Sequence, residues 1–346
     1  MEGSPYHTFS RIGLLLCLVA LFGELFLMTP VYSEKVIILN FDDDWKGQYL
    51  NVKPILEKYG FRATFFLTCD CVTYQNSSVC NNAANPNSVL TWEEVKSLQK
   101  AGHDLQSHGM THKDLTSLSN DSLENEIGQS KQCLLDHNIN STIFANAFGS
   151  GADNATVIKV VSKYYDMARA GYDPLTFLKC DGWAEISNQT DCSTFFDNGT
   201  LTLANRYSLR IGNHNYFDSE YSHNSTEIFP QFVKAINDQS QYNTDGAINA
   251  IPIVTYHNVE KVENNSSIVN SNYSLIRPIP FFPYLTYNDL RNIENSSTIV
   301  SSNWINSTTD VNLLEREMRY LYENGFKVLT MSDLGYNTTS NEIYIK

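Results

Sequence analysis

Along the chain, short apolar runs alternate with segments whose apolar positions recur every three or four residues. The runs "KVIILNF", "RATFFLTC", "HDLQSH" and "STIFANAF" read as buried strands. Between them, "GQYLNVKPILEKYG" has helical spacing and stops at Gly60, and "TWEEVKSLQKAG" opens with a Thr cap and stops at Gly102. A longer helix is expected from about Asn120. The rhythm continues with helix "NATVIKVVSKY" and strands "YDMARAG" and "RYSLRIG", then helix "TEIFPQFVKAIND" and strand "AIPIVTYH". Helix "VNLLEREMRYLYENG" and strand "FKVLTMSDL" close it. Strands joined through helices need crossover connections, which means a parallel sheet covered by helices. Seven or eight such units suit a TIM-like (β/α) barrel better than an open sheet.

Two stretches break the pattern. Ile12 to Val31 is apolar apart from Glu24 and is followed by Ser33, so residues 1–33 read as a cleaved signal peptide or an N-terminal membrane anchor. Residues 34–346 then form one domain, carrying an Asn/Ser-rich insertion at about 261–310 with "IRPIPFFPYL" in its middle. Either reading of the leader puts the domain outside the cytoplasm, extracellular or at the cell surface.

Composition agrees with that placement. A formal charge of −14 leaves no basic surface for phosphates, so no nucleic-acid partner is expected. Asn-x-Ser/Thr sequons recur from Asn76 to Asn337, as in a glycosylated surface protein. Of seven cysteines, Cys17 lies in the leader and six remain, more in keeping with disulfides than with metal ligands. Cys180 with Cys192, then Cys80 with Cys69 or Cys71, are the expected pairs. A monomer is expected.

The chemistry falls at strand ends. Asp42, Asp43 and Asp44 end the first strand, and His108 and His112 follow the third. Phe148 and Gly149 end the fourth, and His257 ends "IVTYH". A barrel would gather these at one rim although they run from residue 42 to residue 257. Adjacent carboxylates repel unless a cation holds them. His-x-x-x-His beside a carboxylate provides three ligands with open positions, the catalytic pattern for zinc, with cobalt, nickel or manganese as alternatives. Asp44 reads as an added charge or a cap on the following helix. His103 reads as packed or capping, and His214 and His223 as solvated loop residues. Trp45, Trp183 and Tyr216 are candidates for stacking on sugar rings, with core packing the equal alternative.

Phe41-Asp42-Asp43, His108-x-x-x-His112, the Phe148-Gly149 turn and Val254-Thr255-Tyr256-His257 together resemble the ordered motifs of the polysaccharide deacetylases. This is the NodB-homology group, carbohydrate esterase family 4. The resemblance implies a distorted, incompletely closed barrel and a metal-dependent hydrolase. Its substrate would be an N-acetylated extracellular glycan, with O-acetyl groups also open. It implies Asp42 as catalytic base, Asp43, His108 and His112 as metal ligands, Phe148 as a backbone oxyanion donor, and His257 as the acid that protonates the leaving amine.

The chain departs from the family pattern in three places. Asn40 and Asp44 stand where Thr and Gly are usual around Phe-Asp-Asp. Ala145 stands where the third motif has an Arg that orients the base. Asp181-Gly-Trp183 is a weak match to the Asp-Trp motif. With the third-motif Arg missing, Asp42 is tuned by His257 alone or by a distant Arg such as Arg169 or Arg210. The alternative is a weakened or inactive glycan-binding protein on the same scaffold.

Overall fold

A computed structural model of the chain describes residues 33–75, 88–147, 154–169, 175–178, 193–197, 200–203, 206–207, 209–214, 225–262, 308–337, 339–340 and 342–346. The leader, Phe148, Gly149, Cys80, Cys180, Cys192, Trp183, Tyr216, His223 and most of the insertion lie outside these residues. Among the described residues, no helix is long and apolar enough to cross a membrane.

Strand β1 (Val36–Asp42) is buried along its whole length because both of its faces are covered. Val36 and Ile38 point into the barrel with Phe66, Ile143, Ala145, Met167 and Ile253. Ile37, Leu39 and Phe41 pack outward against the helices. Period-two alternation therefore carries Asp42 to the interior side at the strand's end.

Parallel strands follow on one side: β2 (Thr64–Leu67), β3 (Asp104–Ser107), β4 (Ile143–Ala145) and β5 (Met167–Arg169). On the other side of β1 lies β10 (Ala250–Tyr256), also parallel, with Phe41 opposite Tyr256. Strand β13 (Lys327–Leu329) pairs with the first residues of β1. Antiparallel β6 (Leu175–Phe177) lies along the first half of β10.

The expected strand "RYSLRIG" is reduced to a bridge between Leu209 and Arg169 and to β9 (Gly212–Asn213), which pairs with β10. This segment spans the distance from β5 to β10, so the barrel closes through a bridge and two residues. The expected distorted, incompletely closed (β/α) barrel is what forms. Two hairpins decorate it, β7 (Ser193–Asp197) with β8 (Thr200–Leu203), and β14 (Leu334–Asn337) with β15 (Glu342–Ile345).

The covering helices match the sequence pattern closely. A π-turn (Gln48–Val52) leads into α1 (Lys53–Tyr59), which ends at Gly60 in the left-handed conformation. Helix α2 (Cys69–Tyr74), which the pattern did not predict, follows β2. Helix α3 (Trp92–Lys100) has the reciprocal Thr91–Glu94 cap that its sequence indicated. Helices α4 (Asn120–Asp136), α5 (Ala155–Tyr164), α6 (Ser225–Asn237) and α7 (Val311–Glu323) complete the layer. At the insertion, β11 (Asn258–Glu260) and β12 (Thr308–Asp310) pair in parallel, so the chain leaves and returns beside the end of β10.

Cys69 is bonded to Cys133, with Cα atoms 6.5 Å apart. That corrects the Cys69–Cys80 option, since half-cystine connectivity cannot be fixed by spacing alone. Cys71 is also disulfide-bonded.

Candidate metal centre

The turn after β1 holds two consecutive residues in the left-handed region, Asp43 at φ 70° and Asp44 at φ 57°. Such backbone is strained for residues other than glycine, though Asp tolerates it better than most. It gives Asp44 a different partner from Asp42 and Asp43, which both lie within 4 Å of His108 Nε2. Asp44 turns away from the histidines, and its Oδ2 accepts a hydrogen bond from the Thr68 N–H at 2.9 Å. Asp44 is therefore a tie between the ends of β1 and β2, and the expectation that it caps the next helix is corrected. Burial pushes its carboxyl well above the usual range, which relieves repulsion from its neighbours.

Asp43 faces the histidines. His108 Nε2 lies 3.3 Å and His112 Nε2 3.2 Å from the same oxygen, Oδ1. His112 also has positive φ, at 53°, and the two rings meet edge to face. One ligand atom from each of the three residues falls within 4.8 Å of the others. His108 Nδ1 lies 3.0 Å from the Ala145 carbonyl oxygen. A carbonyl can only accept, so Nδ1 carries the proton and Nε2 presents its lone pair toward Asp43.

Asp43 Oδ1 is buried, and neither nitrogen meets it in hydrogen-bond geometry. Electron-pair donors converging on such an atom fit a divalent cation. Burial opposes the charge on Asp43, yet His112 and its neighbours hold the carboxyl well below its usual value. Burial also opposes the charge on His108, but Asp42 and Asp43 outweigh it and raise its pKa.

Asp42 lies beside this cluster, its Oδ2 3.8 Å from His108 Nε2. Its Oδ1 pairs with the Arg169 guanidinium, which is 2% exposed and stacked over Phe66. Arg169 on β5 is in register with Ala145 on β4. The positive charge missing from the third motif is thus supplied one strand over, at the same height in the barrel. This corrects the option that His257 alone tunes Asp42.

His257 Nε2 sits 3.9 Å from Asp43 Oδ2 on a partly exposed ring. Gln48 joins the two strand ends, its amide donating to the carbonyls of Asp42 at 2.5 Å and His257 at 3.2 Å. Nothing in the sequence marks Gln48, which looks like any polar helix residue. Trp45 is 8% exposed and forms an antiparallel bridge with Val89, so it is buried, in line with its packing alternative.

His103 is buried, and its Nδ1 accepts from the Ala63 N–H at 3.3 Å, as a packed residue. The expectation that His214 is a solvated loop residue is corrected. It is fully buried, 2.7 Å from Glu317 Oε1 and 3.2 Å from Thr309 Oγ1, and its ring stacks on Tyr256. The Tyr256 hydroxyl donates to the other oxygen of Glu317.

Comparison with known proteins agrees with the motif reading. The sequence profile of the family described as "Polysaccharide deacetylase" matches residues 30–166. The resemblance to polysaccharide deacetylases is therefore borne out over the stretch that holds Asp42, Asp43, His108 and His112.

Two curated relatives match shorter segments. The chain is 26% identical over 131 residues to "Putative polysaccharide deacetylase YxkH" of Bacillus subtilis, covering 38% of this chain and 42% of that protein. It is 30% identical over 99 residues to a bifunctional xylanase/deacetylase of Pseudobutyrivibrio xylanivorans, covering 29% of this chain and 14% of that protein. The match thus spans less than half the length of either relative. Among solved structures, the Xyl-CE4 domain of a multidomain xylanase from the hindgut metagenome of Trinervitermes trinervoides aligns at 17% identity with a TM-score of 0.44. That alignment covers 87% of this chain and 89% of that one. Arg169 and His257 lie beyond the profile match, so their place in the site rests on the geometry above.

Proposed function

We propose that the chain is a metal-dependent hydrolase that removes acetyl groups, N-acetyl in the first instance, from an extracellular polysaccharide. The observation that carries this reading is the convergence of His108 Nε2 and His112 Nε2 on Asp43 Oδ1, with Asp42 oriented beside them by Arg169.

Asp43, His108 and His112 would hold the ion, zinc being the default for two imidazoles and a carboxylate. When bound, a divalent ion would supply Lewis-acid polarisation of the acetyl carbonyl and acidify a water. Asp42 has one oxygen engaged by Arg169, which leaves Oδ2 to accept the proton of the attacking water. His257, partly exposed and 3.9 Å from Asp43, would deliver a proton to the departing nitrogen, since an unprotonated amine leaves poorly. The products are acetate and a free amino sugar. Phe148, assigned by resemblance as a backbone donor to the oxyanion, lies outside the described residues.

The inactive glycan-binding alternative rests on the missing third-motif Arg; the Arg169–Asp42 pair supports the enzyme reading over it. Export, by a cleaved leader or as an anchored surface protein, fits a fold stapled by Cys69–Cys133 and a chain rich in sequons. The test is acetate release from a panel of N-acetylated and O-acetylated glycans. Turnover should require metal and fall by ~10²–10⁴-fold in Asp42→Asn with zinc still bound. Zinc binding without turnover on any member of the panel would favour the binding-protein alternative.

A further inference from the structure

The loop between His108 and His112 is held from two sides. On one side is the start of α2, where the Cys69 N–H donates to the Gly109 carbonyl at 3.2 Å and the Asp70 N–H to the Met110 carbonyl at 3.0 Å. On the other side is the middle of α4. There Glu126, 5% exposed, accepts from the Thr111 N–H at 2.7 Å and from the Thr111 hydroxyl at 2.6 Å. The Glu126 backbone carbonyl accepts from the Met110 N–H at 3.1 Å. Gly109 has φ 89°, and a Cβ there would stand 2.7 Å from Glu126 Oε1. The loop therefore lies close against this carboxylate, at a glycine whose positive φ a side chain would strain.

The two flanking helices are themselves joined. Cys69, whose N–H binds the loop, is disulfide-bonded to Cys133. Cys133 lies seven residues beyond Glu126, on the same face of α4. One covalent link thus connects both elements that grip the loop. An imidazole keeps its bearing on a metal only as well as its backbone is fixed, and a loop residue at positive φ such as His112 needs that support most.

We infer that Glu126 and the Cys69–Cys133 disulfide form a single frame that positions His108 and His112, with Glu126 a positioning residue for metal binding rather than a ligand. This rests on the metal reading proposed above. Glu126→Gln keeps an acceptor for the Thr111 N–H and a group able to donate to the Thr111 hydroxyl. Glu126→Ala removes both.

The experiment is zinc affinity by competition with a chromophoric chelator, read together with the visible spectrum of the cobalt-loaded protein. Wild type, E126Q, E126A and the double variant C69A/C133A are compared. E126A is expected to bind zinc ~10–100-fold more weakly and to shift the cobalt bands, while E126Q stays near wild type. C69A/C133A is expected to weaken zinc in the same direction, and less than additively when combined with E126A, because both act on one loop. Wild-type affinity and an unchanged cobalt spectrum in E126A would overturn the inference. Should E126A fail to fold, C69A/C133A decides, and unchanged affinity there overturns it. If wild type itself takes up no zinc, the metal reading has failed, which is a different result from equal binding by wild type and variants.

Discussion

The Arg169 guanidinium on β5 and the Asp42 carboxylate at the end of β1 form a buried ion pair across 127 residues of sequence. Arg169 is paired in register with Ala145, so a charge that the family resemblance places on β4 has moved sideways to the next strand. Asp42 thereby keeps an orienting cation without the local motif.

Removing one partner of such a pair strands the other without compensation. Arg169→Ala should lower stability by about 3–5 kcal/mol in urea unfolding, and Arg169→Ala with Asp42→Asn should recover much of it. In the acetate-release assay, Arg169→Ala should lower kcat/KM, because Asp42 loses the partner that orients it. Adding Ala145→Arg to Arg169→Ala should restore part of the activity, because the two positions share one height in the barrel. No recovery would mean that the strand of origin matters more than the charge.

His103 sets an acid limit on the fold that is separate from the site. Burial lowers its pKa from 6.5 to about 4. Above pH 6.5 its ring is neutral in both states. As pH falls toward 4 the unfolded chain takes up a proton that the folded chain resists, so stability is lost across that window. The loss should reach about 3 kcal/mol near pH 4. His103→Asn keeps an acceptor for the Ala63 N–H and cannot titrate, so its stability should fall less steeply between pH 6.5 and 4 by chemical denaturation.

Glu317 is fully buried and receives both the Tyr256 hydroxyl and His214. Glu317→Ala leaves those groups without their shared acceptor and should cost at least about 2 kcal/mol by urea unfolding. Tyr256 packs with the outer, helix-facing cluster, on the other face of β10 from the metal centre, so zinc affinity should stay at the wild-type value. A loss of affinity would show that this network reaches the end of β1, where Asp43 follows, through Phe41, which stacks on Tyr256.

Much of this arrangement was legible because its parts are strongly patterned. The buried strands β1 and β10 are near-continuous apolar runs, and each ends in a chemically marked residue, Asp42 or His257. The loop after β3 carries both histidines at a spacing that points to a metal. What stayed hidden depends on partners far away in sequence. Arg169 was a candidate, but only the register of β4 and β5 shows that it replaces the charge missing at Ala145. His214 lies among Asn, Asp and Ser, so its surroundings read as solvent; its burial comes from Glu317, more than a hundred residues on. Gln48 and Glu126 look like ordinary polar helix positions until the loops they hold are folded against them. The cysteine pairing is hidden for the same reason, since Cys69 on α2 and Cys133 on α4 are 64 residues apart and meet only once the chain is folded.

Zinc stoichiometry, compared between wild type and His108→Ala, tests the central claim most directly. One tightly held ion per wild-type chain, lost in His108→Ala and retained in Asp42→Asn, is the expected result. A wild-type chain that binds no zinc, or one whose binding is unchanged in His108→Ala, would contradict the account.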